Sequence, residues 1–535
     1  MSSLATSVSI DDTTYLIKRY GKSIELNEKN NFHQLLQTKA DDSKDFSPWP
    51  MFGHDTKHIS RSPYSTAGNP LELKWVFRTS SEVASSPVVD ENGTIYFTDL
   101  TSLYALNPNG TFKWRHKNAG IDSASPAIDK DGIIYYGTQN DNYFYAVYPN
   151  GTTKWVFVPN HGVNAPPTIG EDGTIYFGTF NEYGRFYALN RDGTEKWHYD
   201  ADFFCAQSPV IGDDGIIYFA SYYSLYAFYP NGTLFWKLPF SGGWNFLSTP
   251  SIGLDGTIYI ALDHPPCLYG VNPDGTIKWQ CIVDEGCDKT MAAPSIDEDG
   301  TIYFAFKHLY AIYPNGAKKW EFTPNVGDDP FIVSEANAIS ADGTIYFVTT
   351  DYGYIYLFAL NQNGEEIQRL EFSYYAVYSG PVIAPDGTIY FGSWDNDDRG
   401  SLSAFGKLDP NAPQAPTING PKKSKHGVPN EYNFTSTSPL GKDIYYYIEW
   451  GDGSQEEWIG PYPSGITITV SHSWEGRGTY VIGARAKDID NICSSRAELK
   501  VTMPYSYGLP FKQFWNDFFD RFPHAFPLLR YLLRQ

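Results

Sequence analysis

The sequence predicts an all-β chain: an eight-bladed β-propeller closed by an N-terminal strand, then a β-sandwich, then a short amphipathic helical tail. Three observations carry this. A unit of about 40 residues returns eight times, a stretch of different alternating pattern follows it, and the last residues gather phenylalanines at helical spacing.

The repeat is plainest from Ser85 to Trp114, SSPVVDENGTIYFTDLTSLYALNPNGTFKW, and returns from Ala124 and from Ala292 with little change. Its core glycine falls at Gly93, Gly132, Gly173, Gly215, Gly256, Gly300, Gly343 and Gly387, spacings of 39 to 44 residues. That is the period of a four-stranded propeller blade. The segments SPVV, TIYF, LYAL and FKW are short and β-branched or aromatic, hence strands. Asp precedes the core glycine in every copy but the first, which has Asn92. Asp-Gly, and the later Asn-Gly or Asp-Gly, predict hairpin turns, because glycine accepts the positive φ they need. A lone blade leaves its sheet faces bare, whereas a stacked ring buries them.

The fourth strands carry Trp114, Trp155, Trp197, Trp236, Trp279 and Trp320, with Gln368 in the seventh slot. These indoles are expected to be buried against neighbouring blades. The eighth copy, ending near Pro410, has no fourth strand after it, while LELKWVF with Trp75 stands unattached before the first copy. The N-terminal strand is therefore expected to complete the last blade, since bare sheet edges would otherwise remain. Residues before Leu71 are expected to be dispensable to the fold.

The Gly-Thr-x-Lys-Trp fourth strands, approached through Ala-Leu-Asn-Pro-Asn-Gly-Thr, resemble the tryptophan-docking repeats of the pyrroloquinoline-quinone (PQQ) propeller superfamily. WPMFGHDTKHISRSPY, Trp49 to Tyr64, resembles the opening segment of its non-enzymatic members, which include an outer-membrane assembly lipoprotein. The resemblance spans Trp49 to Pro410 and implies a propeller over 48–410, in a branch where many members carry no cofactor.

The chain has 535 residues, 17% aromatic and 19% charged, with 41 Tyr against 4 Met, a balance that suits an exported all-β protein. Its net charge of -21 excludes nucleic acid as the expected partner, because phosphate binding needs clustered Lys and Arg. Residues 1–47 are polar and lack the repeat, with one helix expected around Tyr15 to Tyr20. They show no signal peptide, so the chain is either cytosolic or written without its export signal. The resemblance implies export, and the expected location is extracellular or the cell surface. Cys205, Cys267, Cys281, Cys287 and Cys493 form no metal pattern; Cys281 and Cys287 flank a short loop and suit either a disulfide or idle thiols.

After Pro410 a Pro- and Lys-containing linker leads to alternating strands up to Pro504. WGDGS (Trp450 to Ser454), then HSWEGRGTY and RAKD, resembles the polycystic-kidney-disease (PKD) type of immunoglobulin-like domain, assigned to 411–504. Gly451 and Gly453 permit a tight turn after a buried Trp, with Trp474 and Tyr480 as core candidates. The loop TSPLGKD is short of carboxylates, so no calcium site is expected there.

In the tail, 505–535, Phe511, Phe514, Trp515, Phe518, Phe519 and Phe522 lie on one helical face before Pro523 and Pro527 interrupt it. It is too short to span a bilayer. Three readings stand: a helix packed on the sandwich, a membrane-surface or sorting segment, or a docking peptide.

No adjacent cysteine pair, nucleophile elbow, zinc-protease helix or phosphate loop appears, so no catalytic residue, metal or cofactor is expected, PQQ included. The first Asp of the D-x-D-G turns occurs only at Asp90, Asp129 and Asp297, which marks it as a turn residue rather than a calcium ligand. One propeller face carries the uniform turns. The other carries divergent loops with His161, Phe203, Phe204, Trp244, Phe246, Asp288, Lys289, Asp328, Asp329, Tyr374 and Tyr375, together with Asp122 and Asn164. Aromatics beside carboxylates suit sugar stacking or protein hot spots, although packing between blades is the plainer role for most of them. Repeat seven deviates, with Asn337 for the usual Pro and Gln368 for Trp. The expected function is a binding or scaffold protein for a protein or cell-surface glycan. The alternatives are a PQQ- and calcium-dependent dehydrogenase and a glycan-active propeller enzyme.

Overall fold

The computed structural model describes residues 9–11, 14–19, 22–27, 47–117, 124–240, 247–263, 266–283, 292–326, 331–332, 336–351, 354–372, 379–394 and 399–503. Among these the regular structure is all β. The expected helix near Tyr15 is replaced by a strand, Thr14–Arg19, paired with Ser9–Asp11 and Lys22–Asn27. The tail, 504–535, lies outside the described residues. The chain divides into two compact units, Met1–Leu71 with Val76–Gly406, and Glu72–Trp75 with Lys407–Gln535.

Each of the first six repeats folds into a four-stranded antiparallel sheet in chain order. In the first, Val88–Val89, Ile95–Asp99, Ser102–Leu106 and Phe112–Lys117 follow one another. Gly93 N donates to Asp90 O at 2.9 Å and Gly110 N to Asn107 O at 2.8 Å, with φ of +75° and +77°. Both turns therefore need glycine. The middle strands are buried along their length, while the fourth alternates exposed and half-buried positions, because only one of its faces meets protein. In the seventh repeat Phe331–Ile332 and Ala338–Ile339 both pair with Ile345–Asp351. In the eighth, Glu72–Arg78 is the outer strand beyond Gly400–Gly406, and Thr79 N donates to Gly400 O at 2.9 Å.

The fourth-strand tryptophans join successive sheets by one repeated device. Trp114, Trp155, Trp197, Trp236, Trp279 and Trp320 each donate Nε1 to a carbonyl in the next repeat's second turn, at 2.8–3.0 Å. The turn glycine lies under the indole: a Cβ at Gly151, Gly193, Gly232, Gly275, Gly316 or Gly364 would come 2.6–2.8 Å from the ring. The expectation of full burial is corrected. All six are half-buried, each covered on one side by the next repeat's turn, whereas Trp75, on the outer strand of the eighth sheet, is 2% exposed. Trp197→Ala is accordingly expected to cost about 2–3 kcal/mol, from lost contact and one hydrogen bond. Urea unfolding checks this, and an unchanged midpoint would count against the seam.

The D-x-D-G aspartates brace their turns. Asp90 Oδ1 accepts from Asn92 N and Thr94 N, and its Oδ2 from Tyr96 OH. Asp129 repeats this, while Asp297 accepts from Glu298 N and Tyr303 OH; the two also accept from Arg191 and Gln362, respectively, of the following repeats.

The segment from Trp49 to Tyr64 is woven into the first strands. Val89 N, Ile128 N, Ile211 N, Ile252 N, Ile296 N and Ile339 N donate to the carbonyls of Trp49, Pro50, Thr56, Lys57, Ile59 and Ser60 at 2.7–2.9 Å. A lead-in this short reaches six sheets only where their first strands converge on it, as strands do around a propeller axis. His54, His58 and Ser60 sit at φ of +76°, +54° and +55°, a conformation L-residues adopt only when surrounding contacts impose it. The expected dispensability of everything before Leu71 is thereby overturned.

The second unit contains a two-sheet sandwich. Thr417–Asn419, Asn430–Thr435 and Thr467–His472 form one sheet. Gln455–Tyr462, Ile444–Glu449, Gly478–Asp488 and Ala497–Met503 form the other. Tyr432, Phe434, Trp450, Trp474, Ile482 and Val501 fill the space between them. Trp474 Nε1 donates to Trp450 O at 2.9 Å, and Tyr480 is half-buried with its ring stacked on Trp474 at 5.6 Å. Gly451 takes φ +78° and lets the turn press on the Val481 backbone, where a Cβ would meet it at 2.7 Å.

Candidate binding surface

Opposite the Asp-Gly and Asn-Gly turns, the loops of repeats three and four assemble an aromatic platform. Phe203 and Phe204 pack edge to face at 4.4 Å. Phe180, from the loop between strands two and three of repeat three, stacks on Phe204 at 4.6 Å. Tyr222 and Tyr223, from the equivalent loop of repeat four, each lie 5.2 Å from Phe203. Phe180 is 37% exposed and Tyr183, on the same loop, 75%.

The loops are locked by backbone bonds running from repeat to repeat. Phe180 N donates to Gly162 O at 2.8 Å, Tyr222 N to Phe204 O at 3.0 Å, and Phe240 N to Tyr223 O at 2.8 Å. Gly162 and Gly184 permit the approach, since a Cβ there would strike Gln139 O at 2.0 Å and Phe203 O at 2.3 Å. The aromatic rings are thus held before any ligand arrives, which lowers the ordering cost of binding.

Polar groups border the rings. His161 Nδ1 is 2.8 Å from Asn181 Nδ2. Arg185 pairs with Asp200 at 2.5 Å, and Lys237 with Asp202 at 2.8 Å. Burial pulls the Asp202 pKa upward, but hydrogen bonds from Lys237, Tyr226 and Ser221 outweigh it and hold the carboxyl below its usual range. Cys205 is fully buried behind Phe204, and burial pushes its thiol pKa well up, so it is no nucleophile.

Of the residues singled out from sequence, the structure brings Phe203 and Phe204 together and sets His161 at the border. Trp244, Phe246, Asp288, Lys289, Asp328, Asp329, Tyr374 and Tyr375 lie outside the described residues, as do Asp122 and Cys287. Phe180, Asn181, Tyr222 and Tyr223 were missed. Their signal was present in GTFNEYGRF and ASYYSL, short runs whose aromatics break the pattern of the neighbouring copies. Among the described residues, no group of three or more His, Cys, Asp or Glu is placed to hold a metal ion.

Repeated four-stranded sheets seamed by fourth-strand indoles define a β-propeller. Residues 140–369 match the family described as outer membrane protein assembly factor BamB. No curated protein matches the chain. Among solved structures, the chain is similar to the Dos1 propeller at 12% identity, covering 63% of this chain and 95% of that one, TM-score 0.46. It is also similar to regucalcin, a calcium-binding protein of Agrobacterium tumefaciens, at 17% identity, covering 46% of this chain and 91% of that one, TM-score 0.32. The PKD domain of an M14-like peptidase from a Thermoplasmatales archaeon is 51% identical, covering 18% of this chain and 99% of that one, TM-score 0.17.

Proposed function

We propose that the chain is a non-catalytic binding and scaffold protein, extracellular or at the cell surface, whose ligand, a protein or a glycan, meets the platform of repeats three and four. The observation carrying this is the contrast between the two sides of the propeller. One side has uniform turns closed by the chain's own lead-in segment. The other presents Phe180, Phe203, Phe204 and Tyr223 on loops already locked in place. Flat ring faces beside the Asn181, Asp200 and Arg185 side chains favour a glycan, whose C–H faces pack on aromatics while hydroxyls take the polar border.

An eight-bladed closed ring is part of the proposal. It is supported by the outer placement of Glu72–Arg78 on the eighth sheet, the Phe77 ring 6.3 Å from Phe97 of the first repeat, and Gly380 N donating to Ser86 Oγ at 2.8 Å. The sandwich is read as a PKD-type spacer on the strength of WGDGS and the 51% identity above. The tail, with Phe511, Phe514, Trp515, Phe518, Phe519 and Phe522, is read as an attachment device.

The dehydrogenase alternative fits poorly. The positions one before the first-strand proline are Ser86, Ser125, Pro166, Ser208, Thr249, Ala293 and Gly380, with Ala336 before Asn337 in the seventh repeat; none is a carboxylate, and Gln207 and Asn337 are the amides beside them. A calcium-held quinone needs carboxylate and amide oxygens.

The test is affinity electrophoresis of the full chain through gels containing neutral polysaccharides (xylan, mannan, β-glucan). Retardation is expected with at least one, reduced about tenfold or more in Phe203→Ala and Tyr223→Ala. Retardation by none of them, with no protein partner recovered by the same face, would remove the reading.

A further inference from the structure

The seventh seam departs from the other six, and a cavity lies against it. Gln368 replaces the indole and donates Nε2 to Pro70 O at 2.9 Å, as the indoles donate to their turn carbonyls. The residue standing where other repeats have the turn glycine is Leu71, four positions before Trp75 as Gly110 is before Trp114. Leu71 keeps the positive φ, +52°, and is 2% exposed. At the other seams a Cβ would come within 2.8 Å of the indole, so the two replacements are linked: with Leu71 present, no indole can sit at position 368. A cavity of about 300 Å³ lies at this seam, walled by Leu71, Tyr346, Ala359 and Gln368, with Thr66 and Asp342 also on its lining.

The cavity opens to solvent between Ala67, Gly68 and Ile367, all exposed, Ile367 by 57%. Its walls are largely apolar, and a Cβ on Gly68 would meet nothing within 4 Å. Gln368 spends its Nε2 on Pro70 O, while its Oε1 accepts no hydrogen bond among the described residues. A slot of this volume with mainly apolar walls and an uncommitted Gln368 Oε1 on its lining suits a flat apolar group carrying a single N–H donor.

We propose that this cavity is a binding site for the indole of a tryptophan presented on a partner polypeptide. The chain itself shows the chemistry six times, with an indole held between strands and its N–H given to one oxygen. Here the oxygen would be Gln368 Oε1. The site is separate from the aromatic platform, so the two ideas stand or fall apart.

The probe is N-acetyl-L-tryptophanamide, titrated into the full chain and followed by thermal shift and by saturation-transfer NMR. A saturable response is expected with it and not with N-acetyl-L-leucinamide. Ile367→Lys, at the exposed mouth, should abolish the response, and Gln368→Leu should weaken it several-fold. Phe203→Ala should leave it unchanged. If Gln368→Leu fails to fold, Ile367→Lys alone decides, since its position on the outer strand faces solvent. No saturable response, an equal response to the leucine amide, or full binding by Ile367→Lys would each overturn the proposal.

Discussion

A chain shortened to begin at Gly68 is expected to lose at least about 5 kcal/mol of stability, or to fail to fold at 37 °C. The lead-in from Trp49 to Tyr64 supplies the acceptors for Val89 N, Ile128 N, Ile211 N, Ile252 N, Ile296 N and Ile339 N. Each of those donors closes a two-residue first strand, and an orphaned buried N–H costs on the order of 1 kcal/mol or more. The truncation also removes Ser65 and Thr66, whose hydroxyl and backbone N–H both donate to Asp342 Oδ2 at 2.6 Å. Circular dichroism melting of the truncated and full chains checks this. Equal midpoints would mean that water replaces the lead-in without cost, and that the closure rests on Glu72–Arg78 alone.

Stability is expected to fall by about 3 kcal/mol between pH 7 and pH 4 through one residue, His58. It is fully buried in the lead-in segment, with Nε2 3.4 Å from Thr168 Oγ1 and 3.5 Å from Ser208 Oγ. Burial drives its pKa down from 6.5 to about 4, against smaller upward pulls from Asp55 and the Pro250 backbone. The folded form therefore holds neutral imidazole while the unfolded chain takes up a proton below about pH 6.5. Stability from this residue is fully present above that value and drains away as pH falls toward 4, where the folded form also protonates. The size follows from the shift at about 1.4 kcal/mol per pH unit. Asp55, whose carboxyl is held below its usual range despite burial, adds a loss of the same sign only in more acid solution, below about pH 4. Urea midpoints of wild type and His58→Gln, taken at intervals from pH 4.5 to 7, separate the two. The variant should be less stable at pH 7 but flat across that range. Parallel slopes would assign the dependence to other groups.

Both results concern a segment whose sequence resembled a family opening and whose structural task was invisible. The reason is physical. Its contacts are made by main-chain carbonyls, and a carbonyl leaves no mark on residue type. The aromatic platform was half legible for a related reason. Phe203 and Phe204 stand side by side in one loop, but Phe180, Tyr222 and Tyr223 come from other loops, and only folding brings the three together.

What the sequence determined by itself was the architecture of each repeat and the means of joining them. The Asp-Gly and Asn-Gly turns set the hairpins because those positions need positive φ. The alternation of SPVV, TIYF and LYAL set which strands are interior. Trp450, Gly451 and Trp474 marked the sandwich core in the same way. Tertiary structure alone decided how much of each docking tryptophan is covered, since Trp75 holds the same outer-strand position as the other six and is buried where they are half-buried. It also decided that Leu71 and Gln368 answer each other across the seventh seam. They are 297 positions apart in sequence, and only the fold puts a side chain where the other seams require a hydrogen atom.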